Sequence, residues 1–191
     1  MVAVITGEHV ALRPVRRHEL PILYAWRQDL DLIGWTDTQP WVPLNYDEWS
    51  KRWDEPTSPK VAFFGVQEGV ADDGRLVGTC KLWGIDEYNR NAHIGMQLGA
   101  QSDRGKGFGR DVLALLVRYG FWYRGLRRLQ LETFAHNTAM RRCAERVGFT
   151  EEGRLRQSGW AAGRFGDEVI YGLLATEWAT PGGGGPAPVG Q

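Results

Sequence analysis

The stretch "SDRGKGFGRDVLALLV", residues 102–117, places three glycines at alternate positions directly before a long apolar run. Glycine lowers helix stability relative to alanine, so a helix that begins this way needs its bare main chain for another purpose. The first amides of a helix lack partners inside the helix, and the helix dipole favours negative charge there. With Arg104, Lys106 and Arg110 beside it, the stretch predicts a diphosphate site at a helix N-terminus. A glycine-rich turn that binds nothing is the alternative.

Two familiar phosphate-binding loops do not fit this stretch. The pattern G-x-x-x-x-G-K-[ST] fails because Lys106 is followed by Gly107. The dinucleotide pattern G-x-G-x-x-G fails because the spacing here is G-x-G-x-G. The residues alone therefore predict an anion site without naming its ligand.

Composition narrows the class of protein. The chain has 191 residues, a formal net charge of zero, nine tryptophans and two cysteines. This length suits one domain with a substantial core, and zero net charge gives no general attraction to nucleic acid or to an anionic membrane. Cys80 and Cys143 form neither a disulfide framework nor a metal-ligand spacing, so no metal is predicted. The N-terminal residues lack a signal-peptide pattern and no apolar run reaches membrane-spanning length, so we expect a cytoplasmic protein.

Periodicity and turn signals predict a single domain at residues 1–179, followed by a disordered tail rich in glycine and proline at residues 180–191. The predicted element order is β α α β β β α β α β β, a mixed α/β domain. Residues 30–44 are interpreted as a loop, a short helix follows from Tyr46, and the helix after the glycine stretch is expected to run to about Tyr123.

Four blocks in this order resemble a known family. "RGKGFG", residues 104–109, resembles the acyl-CoA signature (Q/R)-x-x-G-x-(G/A) of the GNAT N-acetyltransferases. "NTAMRRCAERVGFTEEGRLR", residues 137–156, resembles the next block of that superfamily, "HVALRPV" resembles its first strand, and "DEVIYGLLATEW" its last. The resemblance covers about residues 8–178, and its nearest branch contains ribosomal-protein N-terminal acetyltransferases. It implies one GNAT-type domain with a mostly antiparallel, twisted sheet of about seven strands that is splayed in the middle and flanked by about four helices.

The resemblance also implies acetyl-CoA as the acyl donor and CoA as a product. The splayed strand at residues 96–99 would pair with the pantetheine arm, and the amide of Leu98 would polarise the thioester carbonyl. Asn137 would lie near the arm or simply cap the following helix. The implied cofactor-binding residues are Met96, Leu98, Arg104, Gly105, Lys106, Gly107, Phe108, Gly109, Arg110, Asn137 and Met140.

Acetyl transfer needs a neutral amine, so some group must accept a proton. His93 stands where many relatives have a glutamate, and a histidine titrates near neutrality. It is therefore the first candidate base, against the alternative of a histidine satisfied within the sheet. Glu132 on the neighbouring predicted strand is the reserve. The tyrosine with which many relatives protonate the thiolate is replaced by Ala144, and Met140 stands at the position of an alternative serine.

The amine acceptor is expected to contact the tryptophan-rich segment near residue 40. Trp35, Asp37 and Trp41 are the candidates, because aromatic faces and carboxylates suit a cationic amine and no helical period explains them. Asp167 matches an acidic position that is common in this branch before the last strand.

Three functions are weighed for the chain. The favoured one is an N-acetyltransferase for a primary amine on a small molecule or a peptide. A catalytically idle GNAT domain that senses acyl-CoA or a partner is the second, and a module for another phosphate compound is the third. Homodimers are common in this branch, so a homodimer is an expectation by analogy.

Overall fold

The computed structural model describes residues 5–36, 41–55, 58–71, 73–161 and 163–178. These residues form one eight-stranded sheet and five α-helices. The strands are β1 (Ile5–Thr6), β2 (Val10–Arg13), β3 (Ala62–Glu68), β4 (Leu76–Asp86), β5 (Asn91–Leu98), β6 (Arg128–Phe134), β7 (Thr150–Ala161) and β8 (Arg164–Leu174). The helices are α1 (Leu20–Gln28), α2 (Leu30–Thr36), α3 (Tyr46–Ser50), α4 (Phe108–Arg118) and α5 (Thr138–Val147).

The sheet consists of two halves that meet at one short parallel contact. Its strand order is β1-β2-β3-β4-β5-β6-β8-β7, and every neighbouring pair is antiparallel except β5 and β6. These two strands pair only from Asn91 to His93 and then separate. β5 stays paired with β4 as far as Leu98, and β6 stays paired with β8 as far as Phe134. Each half is therefore internally paired while the middle of the sheet is open.

The two faces of the sheet are chemically different. Cys80, Leu82 and Ile94 belong to the main core, which also includes the buried side of α4. Because side chains alternate along a strand, their neighbours Trp83 and His93 lie on the opposite face, where the two rings stack. A second, smaller core contains Leu20, Leu23, Trp49 and Leu76.

The predicted order of elements is confirmed with three differences. Ile5–Thr6 adds a short edge strand to the seven expected. Leu30–Thr36 is helical where a loop was expected, because a segment of seven residues that includes Gly34 is too short to show a clear helical period. α4 ends at Arg118 and continues as a π-helical turn over Tyr119–Tyr123. The predicted tail at residues 180–191 lies outside the described residues.

Within the described residues, no helix is long and apolar enough to cross a membrane.

A buried ion pair ties β2 to the short helical turn Arg17–Glu19 that precedes α1. Arg13 is 1% exposed and Glu19 is 4% exposed. Nη1 of Arg13 donates to Glu19 over 2.8 Å, Nη2 donates over 2.5 Å, and Nε donates to Gln67 over 2.6 Å. Burial alone would raise the pKa of Glu19, but hydrogen bonds from Arg13 and from the Arg16 main chain outweigh burial and hold it below its usual range.

We predict that Glu19→Ala lowers the free energy of unfolding by about 3–5 kcal/mol, because it leaves the Arg13 guanidinium buried without its partner. Urea denaturation at pH 7 measures this loss. The lowered pKa of Glu19 means that its contribution is present at neutral pH and is lost as the pH falls. The difference between the two proteins should therefore shrink in acid.

Asp54→Ala is the matched control, because it removes an exposed carboxylate that pairs with Arg17. Solvent screens that pair, so little change is expected. Equal losses from the two variants would contradict the importance given to the buried pair.

Candidate functional site

The opening between β5 and β6 exposes main-chain groups of β5. The amide of Gly99 donates to the carbonyl of Val77 over 2.9 Å, which identifies Gly99 as a residue that hydrogen-bonds towards β4. Because hydrogen bonding alternates along an antiparallel strand, Gln97 also bonds towards β4. The N–H and C=O groups of Met96 and Leu98 then point to the other side, where β6 has already separated. They face the opening with no strand beside them.

A cleft of about 600 Å³ occupies this opening. Its walls are formed by residues of five strands, β3, β4, β5, β6 and β8, and of the start of α5. The lining residues are Phe63, Thr79, Cys80, Lys81, Trp83, Ile94, Gly95, Met96, Gln97, Leu131, Glu132, Thr133, Phe134, Asn137, Met140 and Glu168. The cleft therefore lies between the two half-sheets.

The glycine stretch forms the turn that leads into α4. Gly105 and Gly107 have φ values of +80° and +87°, a left-handed conformation that residues with a side chain rarely adopt. Gly107 is the N-cap of α4. Among the described residues, no acceptor pairs with the amides of residues 105–110. A run of free amides at a helix start is the arrangement that binds phosphate groups.

The buried carboxylate of Asp103 holds this turn in place. Asp103 is 1% exposed and accepts 2.8 and 2.7 Å hydrogen bonds from the guanidinium of Arg75, just before β4. It also accepts a 3.1 Å bond from Nζ of Lys106. From the sequence, Lys106 was expected to face the anion. In the structure its ammonium group instead pairs with Asp103. The side chain of Arg104 has no hydrogen bond or ion pair to any described residue, and Nη2 of Arg110 lies 3.8 Å from Glu8.

The starts of α4 and α5 meet beside β5. A Cβ built at Gly109 would lie 3.5 Å from Sγ of Cys143 and 3.6 Å from Cε of Met96. Oδ1 of Asn137 accepts the amide of Met140 over 3.1 Å, so Asn137 is the cap of α5 and also lines the cleft. Asn137 can therefore cap α5 and lie near the predicted pantetheine arm at the same time.

His93 and Glu132, predicted as alternatives, are paired across the junction of the two half-sheets. Nδ1 of His93 lies 3.1 Å from Oε1 of Glu132, and the His93 ring stacks on Trp83 at 4.4 Å between centroids. Nε2 of Gln130 donates to Oε1 of Glu132 over 2.7 Å, and Arg128 donates to Oε1 of Gln130 over 2.9 Å. This chain orients the carboxylate, and a carboxylate on Nδ1 favours the tautomer in which Nε2 is the free acceptor.

Two of the predicted acceptor residues, Trp41 and Asp167, are not among the residues that line this cleft. Nε1 of Trp41 donates to the carbonyl of Arg27 over 3.0 Å. Asp167 accepts from Nε of Arg154 over 2.8 Å and from the amide of Gln157 over 2.9 Å, which closes the bulge in β7. These bonds, the one from Gln157 foremost, hold the pKa of Asp167 below its usual range.

The other two acceptor candidates cannot be placed. The side chain of Trp35 and the whole of Asp37 lie outside the described residues.

The lining residues that sequence reasoning missed include Lys81, Trp83, Phe134 and Glu168. Phe134 is 4% exposed, and its ring lies over Gly159 and Gly166, where a Cβ would come within 2.5 and 3.2 Å of it. Glu168 directly follows the predicted Asp167. Alternation along β8 places consecutive residues on opposite faces, so this signal was available once the strand was assigned.

The family described as "Acetyltransferase (GNAT) domain" matches residues 9–150. The chain is similar to a curated protein from Bacillus subtilis (strain 168), the putative ribosomal N-acetyltransferase YdaF, with 35% identity over 114 residues. That match covers 60% of this chain and 62% of the relative. The chain thus spans about three fifths of the length of several curated relatives that it matches.

Solved structures share the fold. Spermidine N-acetyltransferase from Vibrio cholerae, in complex with CoA and spermine, superposes with a TM-score of 0.80 at 21% identity. The match covers 88% of this chain and 97% of that one. Mycobacterium smegmatis RimJ, in complex with CoA-disulfide, gives a TM-score of 0.74 at 24% identity and covers 92% of this chain and 86% of that one.

We predict that Asp103 stabilises the fold in a pH-dependent way. The hydrogen bonds from Arg75 lower the pKa of Asp103 to about 2. Since this lies below the value in an unfolded chain, the stabilisation is present above about pH 4 and is lost as the pH falls towards 2. Asp103→Asn should therefore cost about 1–2 kcal/mol at pH 7, and the difference from the native protein should shrink as the pH falls and vanish only below about pH 2.

Urea unfolding at a series of pH values measures this dependence. Asp73→Asn, an exposed aspartate outside this cluster, is the control. A loss of stability in Asp103→Asn that is the same at pH 3 and pH 7 would contradict the proposed ionic origin.

Proposed function

The chain belongs to the GNAT acetyltransferase domain family, and on that premise we propose that it transfers an acetyl group from acetyl-CoA directly to a primary amine. The observation that carries the proposal is the opening between β5 and β6. It brings free main-chain groups of Met96 and Leu98 together with the His93–Glu132 pair. The acceptor amine is borne by a small molecule or by a peptide N-terminus.

The residues present fit acetyl-CoA. The free amides of residues 105–110 would bind its diphosphate, with Arg104 and Arg110 supplying positive charge. The main-chain groups of Met96 and Leu98 would pair with the amide groups of its pantetheine arm as a neighbouring strand would. The amide of Leu98 is also our candidate for stabilising negative charge on the thioester oxygen. Acetyl-CoA supplies the activated acyl group.

His93 is proposed to accept the proton of the acceptor amine. Glu132 lies against Nδ1 of His93 and would stabilise the positive charge that the ring gains. Gln130 and Arg128 hold Glu132 in place, so they act through it rather than on the substrate. In this arrangement Glu132 is the orienting partner and His93 is the base.

The structure offers no tyrosine on α5 to protonate the departing thiolate. Ala144 stands at the expected position and is buried, and Met140 stands at the alternative one. A thiol has a pKa of about 8.5, so its thiolate leaves without strong assistance. We infer that water protonates it.

The names of the similar proteins support this class of reaction without fixing the acceptor. One relative is named for ribosomal proteins, and the Vibrio cholerae structure contains spermine. A cytoplasmic location and a homodimer remain predictions from the sequence.

The proposal is tested by free-thiol release from acetyl-CoA in the presence of amines of different classes. The set contains peptides with free N-termini, lysine peptides, polyamines and aminoglycosides. We expect turnover with one class. Binding of CoA without turnover on any amine would favour the idle sensor domain, and absence of CoA binding would contradict the proposal.

We predict that His93→Gln lowers kcat by about 10²- to 10⁴-fold, the usual contribution of a general base. CoA affinity, measured by calorimetry, should stay the same because His93 lies outside the donor-binding groups. His18→Gln, which changes an exposed histidine before α1, is the control. Near-native kcat in His93→Gln would show that His93 is satisfied within the sheet and does not accept the proton.

We also predict that CoA protects Cys143 from alkylation. This half-buried thiol lies beside Gly109 and Met96, both in the proposed donor site, and burial raises its pKa. Its slow reaction with iodoacetamide at pH 8.5 should slow further, by about tenfold or more, when CoA is bound. Mass spectrometry locates the label on Cys143. If saturating CoA left the rate of Cys143 alkylation unchanged, the proposed position of acetyl-CoA beside Cys143 would be contradicted.

A further inference from the structure

The cleft contains a carboxylate that the proposed chemistry does not use. Glu168 of β8 lines the cleft and is half-buried. Within the described part of the chain, its side chain has no hydrogen bond and no ion pair. Its neighbour in the cleft wall, Glu132, has both His93 and Gln130 as partners. A half-buried carboxylate gains stability from a partner, so Glu168 is suited to a ligand cation.

The side chain of Glu168 is bordered by Gly159 and by the ring of Phe134. Gly159 lies opposite, and a Cβ there would approach Cδ of Glu168 to 3.3 Å. The ring of Phe134 fills the same gap from the β6 side and is packed rather than free to move. The carboxylate is therefore bordered by an aromatic ring and by a residue without a side chain, which are favourable surroundings for an ammonium group.

The register of the sheet fixes where Glu168 lies relative to the proposed reaction. Glu132 pairs with Ile170, and Phe134 pairs with Glu168. Glu132 and Glu168 are therefore diagonal neighbours on one face, on the order of 7–8 Å apart. A second cation of the acceptor could reach Glu168 while its reacting amine lies at the His93–Glu132 pair.

The opposite wall of the cleft carries positive charge. The side chain of Lys81 crosses over Gly95, where a Cβ would lie 3.1 Å from Cε of Lys81. Lys81 also has no ion pair within the described residues. Its ammonium group repels a cation on the β4 side of the cleft and favours the same cation on the β8 side. The charges of Lys81 and Glu168 thus favour one orientation of the acceptor, in which its second cation lies on the β8 side of the cleft.

We propose that Glu168 forms a cation subsite that selects acceptors with a second ammonium group near the reacting amine. The assignment rests on the proposed function, since it presupposes that the amine reacts at His93. It identifies the preferred acceptor class as diamines and longer polyamines, in preference to monoamines. Lys81 disfavours binding of that second cation on the β4 side of the cleft.

The test compares putrescine with butylamine, which has the same carbon chain and only one amine. Native protein should show a kcat/KM for putrescine about tenfold above that for butylamine. Glu168→Gln should lower the value for putrescine by about five- to tenfold and leave butylamine within twofold, because the neutral amide keeps the shape and loses the charge. Glu168→Asp should retain part of the preference.

Two further variants sharpen the comparison. Lys81→Gln should move putrescine in the opposite direction, to a higher kcat/KM, because it removes the repulsion. Glu55→Gln, an exposed glutamate outside the cleft, should change neither amine. Equal losses for both amines in Glu168→Gln, or no loss for either, would overturn the assignment.

Calorimetry separates this assignment from the proposed function. Putrescine is titrated into the CoA-loaded protein, so a result is obtained even if no amine is acetylated. Weaker putrescine binding in Glu168→Gln than in the native protein supports the subsite. Equal putrescine binding in the two proteins overturns the subsite alone, whereas failure of the native protein to bind CoA overturns the proposed function on which it rests.

Discussion

The separation of β5 from β6 after His93 is the constraint on which the site depends. Main-chain amides and carbonyls inside a sheet need partners, and each half-sheet supplies them on one side only. β5 keeps its pairing with β4, where Gly78 admits the approaching main chain, since a Cβ there would lie 2.3 Å from the carbonyl oxygen of Gln97. β6 keeps its pairing with β8. The groups left over at the opening are then available to a ligand that carries amides of its own.

The remaining elements hold this opening in a fixed relation to the glycine turn. The carboxylate of Asp111, in the first turn of α4, accepts the amides of His9 and Val10 over 2.7 and 2.9 Å and so ties the helix start to β2. Asp103 ties the turn to Arg75 beside β4. The carboxylates of Asp103 and Asp111 thus tie the turn and the start of α4 to two different parts of the sheet. The amides of residues 105–110 stay free.

Much of this arrangement was predictable from local patterns, and the exceptions have physical causes. The glycine turn and the helix after Asn137 follow from spacing and capping, which are properties of neighbouring residues. The two residues were expected on neighbouring strands, but the His93–Glu132 contact could not be derived, because it depends on the register between strands whose residues are 39 positions apart. The role of Trp41 in acceptor binding stays a prediction, and its indole donates to the carbonyl of Arg27 near the end of α1. Glu168 did not stand out in the sequence, because alternation along β8 separates it from Asp167 without showing which of the two residues faces the cleft.

The central claim is that alternate amides of β5 are free for the acyl donor, and hydrogen–deuterium exchange read by NMR tests it residue by residue. In the free protein, the amides of Gly95 and Gln97 should exchange slowly, because they pair with β4, whereas those of Met96 and Leu98 should exchange quickly. Saturating CoA should slow exchange at Met96 and Leu98 and leave Gly95 and Gln97 unchanged. Slow exchange at all four amides without CoA, or no effect of bound CoA on Met96 and Leu98, would contradict the account.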